Sequence, residues 1–403
     1  MSACTKFLSH PIDQPKPFLI EHLIAVGKKS KELFAETSFR NQKIAYYSGL
    51  LHDIGKMNPW YQEIFNAVQD RKKIQEEVST KFVQQHSVFS TWAAKYLLSK
   101  TGLDDIIDKI LILINGHHTT IRRSLGEIKQ GSQFKASQEI MNESIRDFSS
   151  QVIDIAEFSE LNWSSCVERF PRPILFDLEL NSMMAPDDYL EMSVAFSCLL
   201  QADRGSFDDW SVPKFSLSID TTSLTKSRQT SNLQPLAKIQ QEKMASLRNR
   251  FQKEVMENYD YSEKIIVIHA PTGIGKTKVF LDLIAKYKED KTIQRVFYFS
   301  PLLALTEDFE RKFESTISEK QAGDVLIYNH MFAESLEEKK RGTNEGHIRE
   351  WNFLIESFNK PFVITTTQRL LMTIYSNTAK DKMKMASFRN SILIIDEVQT
   401  IPK

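Results

Sequence analysis

Cysteine is scarce in this 403-residue chain, and Cys4, Cys166 and Cys198 lie far apart. Three scattered thiols build neither a disulfide framework nor a zinc ribbon, and they suit a reducing cytosol. Net charge is also lacking, with 52 basic residues against 52 acidic ones. A neutral chain has no global field to attract nucleic acid, so any DNA contact must come from local basic patches. No apolar run reaches the ~20 residues that cross a bilayer. Met1 to Lys6 carry no long apolar signal core. These gaps predict a cytoplasmic protein without membrane spans. What remains is ordinary: 41% apolar and 26% charged residues, in a chain long enough for two or three domains with ample core. The sequence contains no internal repeat.

Histidine and aspartate carry the first signal. In Leu51-His52-Asp53-Ile54-Gly55-Lys56, two metal ligands stand side by side. On a helix, neighbours point roughly 100° apart, so both would reach an ion lodged between that helix and its partners. His22 precedes the pair, and His86, the adjacent His117-His118 and Asp203 follow it. Five of the nine histidines thus join two aspartates. Seven donors exceed one tetrahedral ion and fit a pair of divalent transition metals, with Mn, Fe, Co and Ni all acceptable to a mixed His/Asp set. In two-metal hydrolysis, ions roughly 3.5–4 Å apart activate a water and stabilise the attacked phosphate and the leaving oxygen. Asp53, with two oxygens, is expected to bridge them. Lys56, about one helical turn on, is expected to place positive charge on the phosphate. His10, His269, His330 and His347 have no neighbours in sequence that suggest ligation and are read as structural.

Apolar spacing predicts an all-α scaffold over residues 1–210. Leu23, Val26 and Leu33 share one helical face, as do Ala45, Leu50 and Ile54. Phe82, Phe89, Trp92, Ala93 and Leu97 share another. Residues 103–115 form an apolar helix that ends at His117-His118. Residues 122–150, with Gly126 and Gly131, read as a loop and a surface helix. A further apolar helix spans 189–204, with Asp203 near its end. Residues 211–235, rich in Ser and Thr with two prolines, are expected to form a linker. Beyond it Met244, Leu247, Phe251 and Val255 mark one more helix. Then the period changes. Strands are expected at 265–268, 295–299, 325–328, 362–366 and 392–395, alternating with helices. That order predicts a doubly wound parallel sheet over 236–403.

A phosphate-binding loop sits at the start of this second region. Ala270-Pro271-Thr272-Gly273-Ile274-Gly275-Lys276-Thr277 follows the first expected strand and opens a helix. Thr272, Gly273, Ile274 and Gly275 would curl backbone N–H groups round the phosphates of ATP. Lys276 would reach the β/γ-phosphates and Thr277 the Mg²⁺. Ile392 to Ile395 run straight into Asp396-Glu397, where Asp396 would hold Mg²⁺ and Glu397 would polarise the attacking water. Lys339-Lys340-Arg341, beside Glu337 and Glu338, reads as a solvated helix face rather than a DNA patch.

Together these residues resemble the CRISPR-associated helicase–nuclease of type I interference systems, an HD nuclease domain followed by a superfamily 2 helicase. Leu247-Arg248-Asn249 is similar to the stretch that precedes the loop in that family. Ser300-Pro301-Leu302 and Thr365-Thr366-Thr367-Gln368 resemble its DNA-contact motifs. Asp396-Glu397-Val398-Gln399 resembles the branch with Gln in fourth place, where other members have His. The resemblance implies an HD-type domain joined to a first RecA-like lobe. It implies one ion on His22, His52, Asp53 and Asp203, and a second on Asp53, His86, His117 and His118. It implies single-stranded DNA as substrate, with Ser300, Pro301, Thr366 and Thr367 on the strand. Recruitment by an RNA-guided Cascade complex would leave sequence choice to guide pairing. In the family a second RecA-like lobe follows. This chain stops at Lys403, either shortened or one part of a split protein, so weak ATP binding and little or no unwinding are expected of it. The alternative expectation is an HD phosphohydrolase acting on nucleotides, regulated by the ATP module. A third is a nucleic-acid remodeller with an inert HD scaffold.

Overall fold

The computed structural model describes residues 7–401 except 13, 15, 40, 68–85, 122–132, 170–184, 208–209, 223, 225–234, 261–262, 288–291 and 329–344. Phe82, Gly126, Gly131, His330 and Lys339-Lys340-Arg341 therefore lie outside the described residues. The chain divides into two compact units, one of residues 1–210 with 372–386, the other of residues 211–371 with 387–403.

The described part of the first unit is helical. Helix α1 (Leu19–Ala35) buries Leu19, Leu23, Val26, Leu33 and Phe34 along one stripe, the spacing that a 3.6-residue period requires. It crosses α2 (Gln42–Leu51) at a pair of glycines. A Cβ on Gly49 would lie 2.8 Å from Val26 O and 2.9 Å from Gly27 Cα, so only glycine permits this approach. Helix α3 (Pro59–Asn66) is followed by α4 (His86–Leu97) and α5 (Ile107–Gly116). In α5, Ile110 to Ile114 are all buried, as expected of a helix enclosed on every side. Helices α6 (Gln133–Val152) and α7 (Trp163–Arg169) precede α8 (Pro186–Arg204), which is buried continuously from Met192 to Ala202.

Residues 372–386, which come from between two strands of the second region, complete this unit. Ile121 N donates to Asn377 O (2.8 Å) and Ala379 N to Thr119 O (2.9 Å). Ser197 Oγ and Gln201 Nε2 on α8 both donate to Met383 O, each at 2.7 Å. Nothing in the local sequence pattern marks this segment as belonging with residues 1–210.

The second unit is built on four parallel strands: β1 (Arg295–Ser300), β2 (Val325–Tyr328), β3 (Phe362–Thr366) and β4 (Ser391–Ile395), in the order β2-β3-β1-β4. Strand β1 is central and buried at every residue, as both faces of a parallel sheet are covered. Helices α9 (Pro235–Asn258), α10 (Lys276–Tyr287), α11 (Leu303–Glu314) and α12 (Glu345–Ser357) lie in sequence before and between the strands, and α13 (Thr367–Tyr375) follows β3. Leu281, Ile284, Val296, Tyr298, Phe309, Phe313, Phe362 and Ile364 form the core. Register pairs Ser300 with Thr366 and Phe299 with Ile395. Because all four strands run the same way, their carboxyl ends share one rim, where α/β sheets place their ligands.

Two expectations are corrected. Residues 265–268 form no strand. Ile265 is 82% and Val267 80% exposed, and among the described residues β4 pairs only with β1. A β-branched run becomes a strand only where a neighbour supplies the ladder of hydrogen bonds, and none does so here. The start of the expected linker is also packed rather than free. Phe215 and Leu217 enter the core of the second unit, Phe215 N donates to Ile293 O, and Asp220 N donates to Thr316 O. Their apolar side chains outweigh the Ser/Thr-rich composition around them.

Candidate metal centre and nucleotide loop

The His-Asp pair lies at a helix end rather than within a helix, which corrects the sequence reading. His52 is the C-terminal cap of α2, and Asp53 (φ −112°, ψ 9°) leads into a 3₁₀ turn, Ile54–Met57. Gly55 sets the depth of that turn. A Cβ there would meet His86 O at 2.3 Å and Ser90 N at 2.9 Å, while Gly55 N donates to Ser90 Oγ at 2.9 Å. The missing side chain thus lets the turn pack against α4 beside His86. His22 comes from the first turns of α1, His117 caps α5, His118 follows it, and Asp203 ends α8.

These seven side chains meet in one place. Asp53 divides them. Its Oδ2 lies 3.4 Å from His22 Nε2 and 3.3 Å from His52 Nε2. Its Oδ1 lies 3.1 Å from His86 Nε2 and 3.4 Å from His117 Nε2. Asp203 Oδ1 closes the first set, 3.5 Å from His22 Nε2 and 3.3 Å from His52 Nε2. His118 Nε2 closes the second, 2.8 Å from His86 Nε2. Within each foursome the candidate ligand atoms lie within 4.8 Å of one another.

The rings are held from behind. His52 Nδ1 donates to Gly49 O (2.8 Å) and His117 Nδ1 to Ile114 O (2.6 Å). A carbonyl only accepts, so these bonds put the proton of the neutral ring on Nδ1 and turn the Nε2 lone pair inward, the arrangement that metal-binding imidazoles use. His86 Nδ1 is 2.9 Å from the Tyr61 hydroxyl. Burial opposes charge on Asp53, but His52 and Lys56 outweigh it and hold the carboxyl well below the usual range. Burial also pushes His86 down to about 4, which keeps its ring neutral. On His52 burial is overcome by Asp53 and Asp203, and the ring is raised to about 10.

The donor set fits divalent cations. His22 Nε2, His52 Nε2, His117 Nε2 and both Asp53 oxygens are buried without an aligned hydrogen-bond partner. Coordination would give these inward-facing atoms the directed partners that the loose ion pairs among them do not. Lys56 Nζ lies 2.5 Å from Asp53 Oδ2, on the side of His22 and His52. His10, read from sequence as structural, lies at this site too. Its ring stands edge-on to His22, with centroids 4.9 Å apart. Only tertiary folding of the proline-rich stretch before α1 brings it there. His269 is exposed and takes no part.

In the second unit the phosphate-loop residues surround the start of α10. Gly273 (φ 76°) and Gly275 (φ 110°) take backbone conformations that side chains disfavour. Arg248 on α9 grips the loop, donating through Nε and Nη2 to Gly273 O at 3.0 and 2.9 Å. Thr272, Ile274 and Thr277 line the same turn, and Lys276 Nζ is 2.7 Å from Glu397 Oε1. Asp396, just past β4, accepts from the Tyr298 hydroxyl at 2.7 Å. Ser300-Pro301 and Thr366-Thr367 lie at the carboxyl ends of β1 and β3, on the same rim. Arg248 is the contact that its place in the sequence motif did not reveal.

Two family models match: "Cas3, HD domain" over residues 19–181 and "Type III restriction enzyme, res subunit" over 234–401. The CRISPR-associated nuclease/helicase Cas3 of Streptococcus thermophilus is 22% identical over 333 residues, which is 73% of this chain and 34% of that protein. This chain resembles the Cas3 nuclease/helicases, with a Cas3-type HD region followed by a region that matches the res-subunit model. A putative Cas3 of Methanocaldococcus jannaschii is 24% identical over 160 residues, 38% of this chain and 21% of its own length. The crystal structure of T. fusca Cas3 shares the fold, with a TM-score of 0.54 and 12% identity over 98% of this chain and 46% of that one. Its ATP complex gives 0.55 at 12% identity, over 98% and 47%. The chain therefore spans about a third of the length of the S. thermophilus relative and about half of the T. fusca Cas3 chain.

Proposed function

We propose that this chain is a metal-dependent nuclease for single-stranded DNA, with its cutting site in residues 1–210. That site is joined to an ATP-dependent helicase or translocase module in residues 236–403, and the chain degrades target DNA in type I CRISPR interference. One observation carries the reading: the two oxygens of Asp53 face two separate sets of imidazoles, one closed by Asp203 and one by His118. His22, His52, Asp53 and Asp203 would hold one divalent transition ion, and Asp53, His86, His117 and His118 the other. When bound, such ions supply an activated water and positive charge at the phosphate. The chain's own part is positional. Gly49 O and Ile114 O fix the rings of His52 and His117, and Asp53 keeps the two sets in register. Lys56 adds a fixed positive charge beside Asp53.

Thr272 to Thr277 and Asp396 would hold ATP with Mg²⁺, Glu397 would align the attacking water, and Ser300, Pro301, Thr366 and Thr367 would touch the strand. A Cascade-type RNA-guided complex in the cytoplasm would deliver that strand. Among the described residues, no helix is long and apolar enough to cross a membrane. The test pairs two substrates, circular single-stranded DNA and dNTPs, each with Mn²⁺. The expected result is cut DNA. Hydrolysed dNTPs beside intact DNA would replace this reading with a nucleotide phosphohydrolase.

A further inference from the structure

His10 holds a buried nitrogen without a hydrogen-bond partner among the described residues. The segment ahead of α1 folds back on itself: Ser9 N donates to Pro17 O (2.7 Å), Leu19 N donates to Phe7 O (2.9 Å), and Leu8 bridges Phe18. Gln62 on α3 clamps this fold. It accepts from Leu8 N (2.7 Å), and its Nε2 donates both to Leu8 O (2.8 Å) and to Lys56 O (2.7 Å). One side chain therefore ties the segment to the turn that carries Lys56. His10 is set between the His22 ring and the Phe207 ring, with centroids 4.9 and 4.3 Å away. It is only 9% exposed, and among the described residues nothing hydrogen-bonds its Nε2.

Most of the other unpartnered nitrogens and oxygens of the surrounding cluster belong to the metal-ligand foursomes. His10 belongs to neither foursome, so it does not share their 4.8 Å spacing. A buried imidazole beside His22, outside both ligand foursomes, is placed to meet what the ions would hold rather than the ions themselves. We propose that His10 is a substrate-contacting residue whose Nε2 hydrogen-bonds a phosphate oxygen of the DNA strand, next to Lys56 and beside the His22–His52–Asp53–Asp203 group. The assignment rests on the phosphodiesterase reading above. Phe207 fixes the plane of the ring, and Gln62 couples its position to that of Lys56.

The test uses the full chain loaded with Mn²⁺, as wild type, His10→Ala and His10→Gln. Four quantities are read: Mn per chain, the thermal shift caused by inorganic phosphate, and kcat and KM for single-stranded DNA. His10→Ala is expected to keep the wild-type Mn content. It should weaken phosphate binding by about 10- to 100-fold, the range for losing a hydrogen bond to a charged group, and slow cutting by a similar factor. His10→Gln, whose amide reaches the same point, should recover part of both, and it serves as the test variant if His10→Ala does not fold. Unchanged phosphate binding in a folded variant would overturn the proposal. Loss of one Mn would overturn it as well, since His10 would then be a ligand. Failure of the nuclease reading is seen separately, as a wild-type chain that cuts no DNA.

Discussion

The metal centre and the nucleotide loop are built in opposite ways. Around Asp53 most of the side chains are buried and already aimed, with His52 and His117 locked by backbone carbonyls. Around Lys276 the loop is largely solvent-facing, and Lys276 itself is engaged with Glu397. The first region is preorganised: its geometry is established by folding, and an ion only has to replace protons. In the second, phosphates bound as proposed would have to take Lys276 away from Glu397, so ligand binding itself would rearrange the site. A buried cluster depends on packing, whereas an exposed loop depends on its ligand.

The sharpest break of that contrast is Asp53→Ala. Loss of the shared carboxylate should remove both ions and lower cutting of single strands by roughly 10³-fold or more, read by metal analysis and a gel assay. Next comes Gly55→Ala, which replaces no ligand side chain. Its Cβ would press on His86 O and Ser90 N, both backbone. Overpacking against atoms that cannot yield should cost about 3 kcal/mol, measured by urea unfolding, and should weaken metal binding through displacement of His86. Lys276→Ala sharpens the comparison from the other side. ATP-induced thermal stabilisation should vanish while Mn²⁺-dependent cutting without ATP stays at the wild-type rate. If both fall together, the two regions are not separable.

The smallest effect is a pH dependence confined to the first region. In metal-free protein His86 is held at about 4 and His10 at about 3, both chiefly by burial. Between about pH 4 and their ordinary value near 6.5, the unfolded chain binds these protons and the native one does not. Stability therefore rises with pH over that window. Above it the sign reverses. His52 keeps its proton in the native state up to about 10, so stability falls as pH climbs from 6.5 towards 10. Loading with Mn²⁺ displaces that proton and should flatten the alkaline arm. Melting temperatures with and without metal, at pH 4 to 10, check both slopes.

Much of this architecture was legible before any coordinates. Leu23, Val26 and Leu33 announced α1 because a buried helix must repeat its apolar face every 3.6 residues. Arg295 to Phe299 and Phe362 to Thr366 announced central strands because parallel sheets bury both faces. The side chains that meet round Asp53, from His22 to Asp203, could be named from residue type and order, since few side chains suit transition ions. Other features depended on contacts between distant residues. The β-branched run at 265–268 carries the strand signature but lacks a neighbour. Phe215 and Leu217 sit in a Ser/Thr-rich stretch yet join the core. Residues 372–386 pair with Thr119–Ile121 and pack on α8, far from them in sequence.

Local chemistry, then, was written in the chain: the apolar periodicities, the glycines of the loop before α10 and the identities of the side chains that meet round Asp53. Those features follow from backbone geometry and ligand preference within a few residues of each other. Folding alone decided that His52 caps α2, that Asp53 turns one oxygen to each set of imidazoles, and that His10 lies against His22. Each of those depends on where separate helices cross, and the Gly27–Gly49 contact and the bare Cα of Gly55 set those crossings through steric fit between segments that no short window of sequence contains.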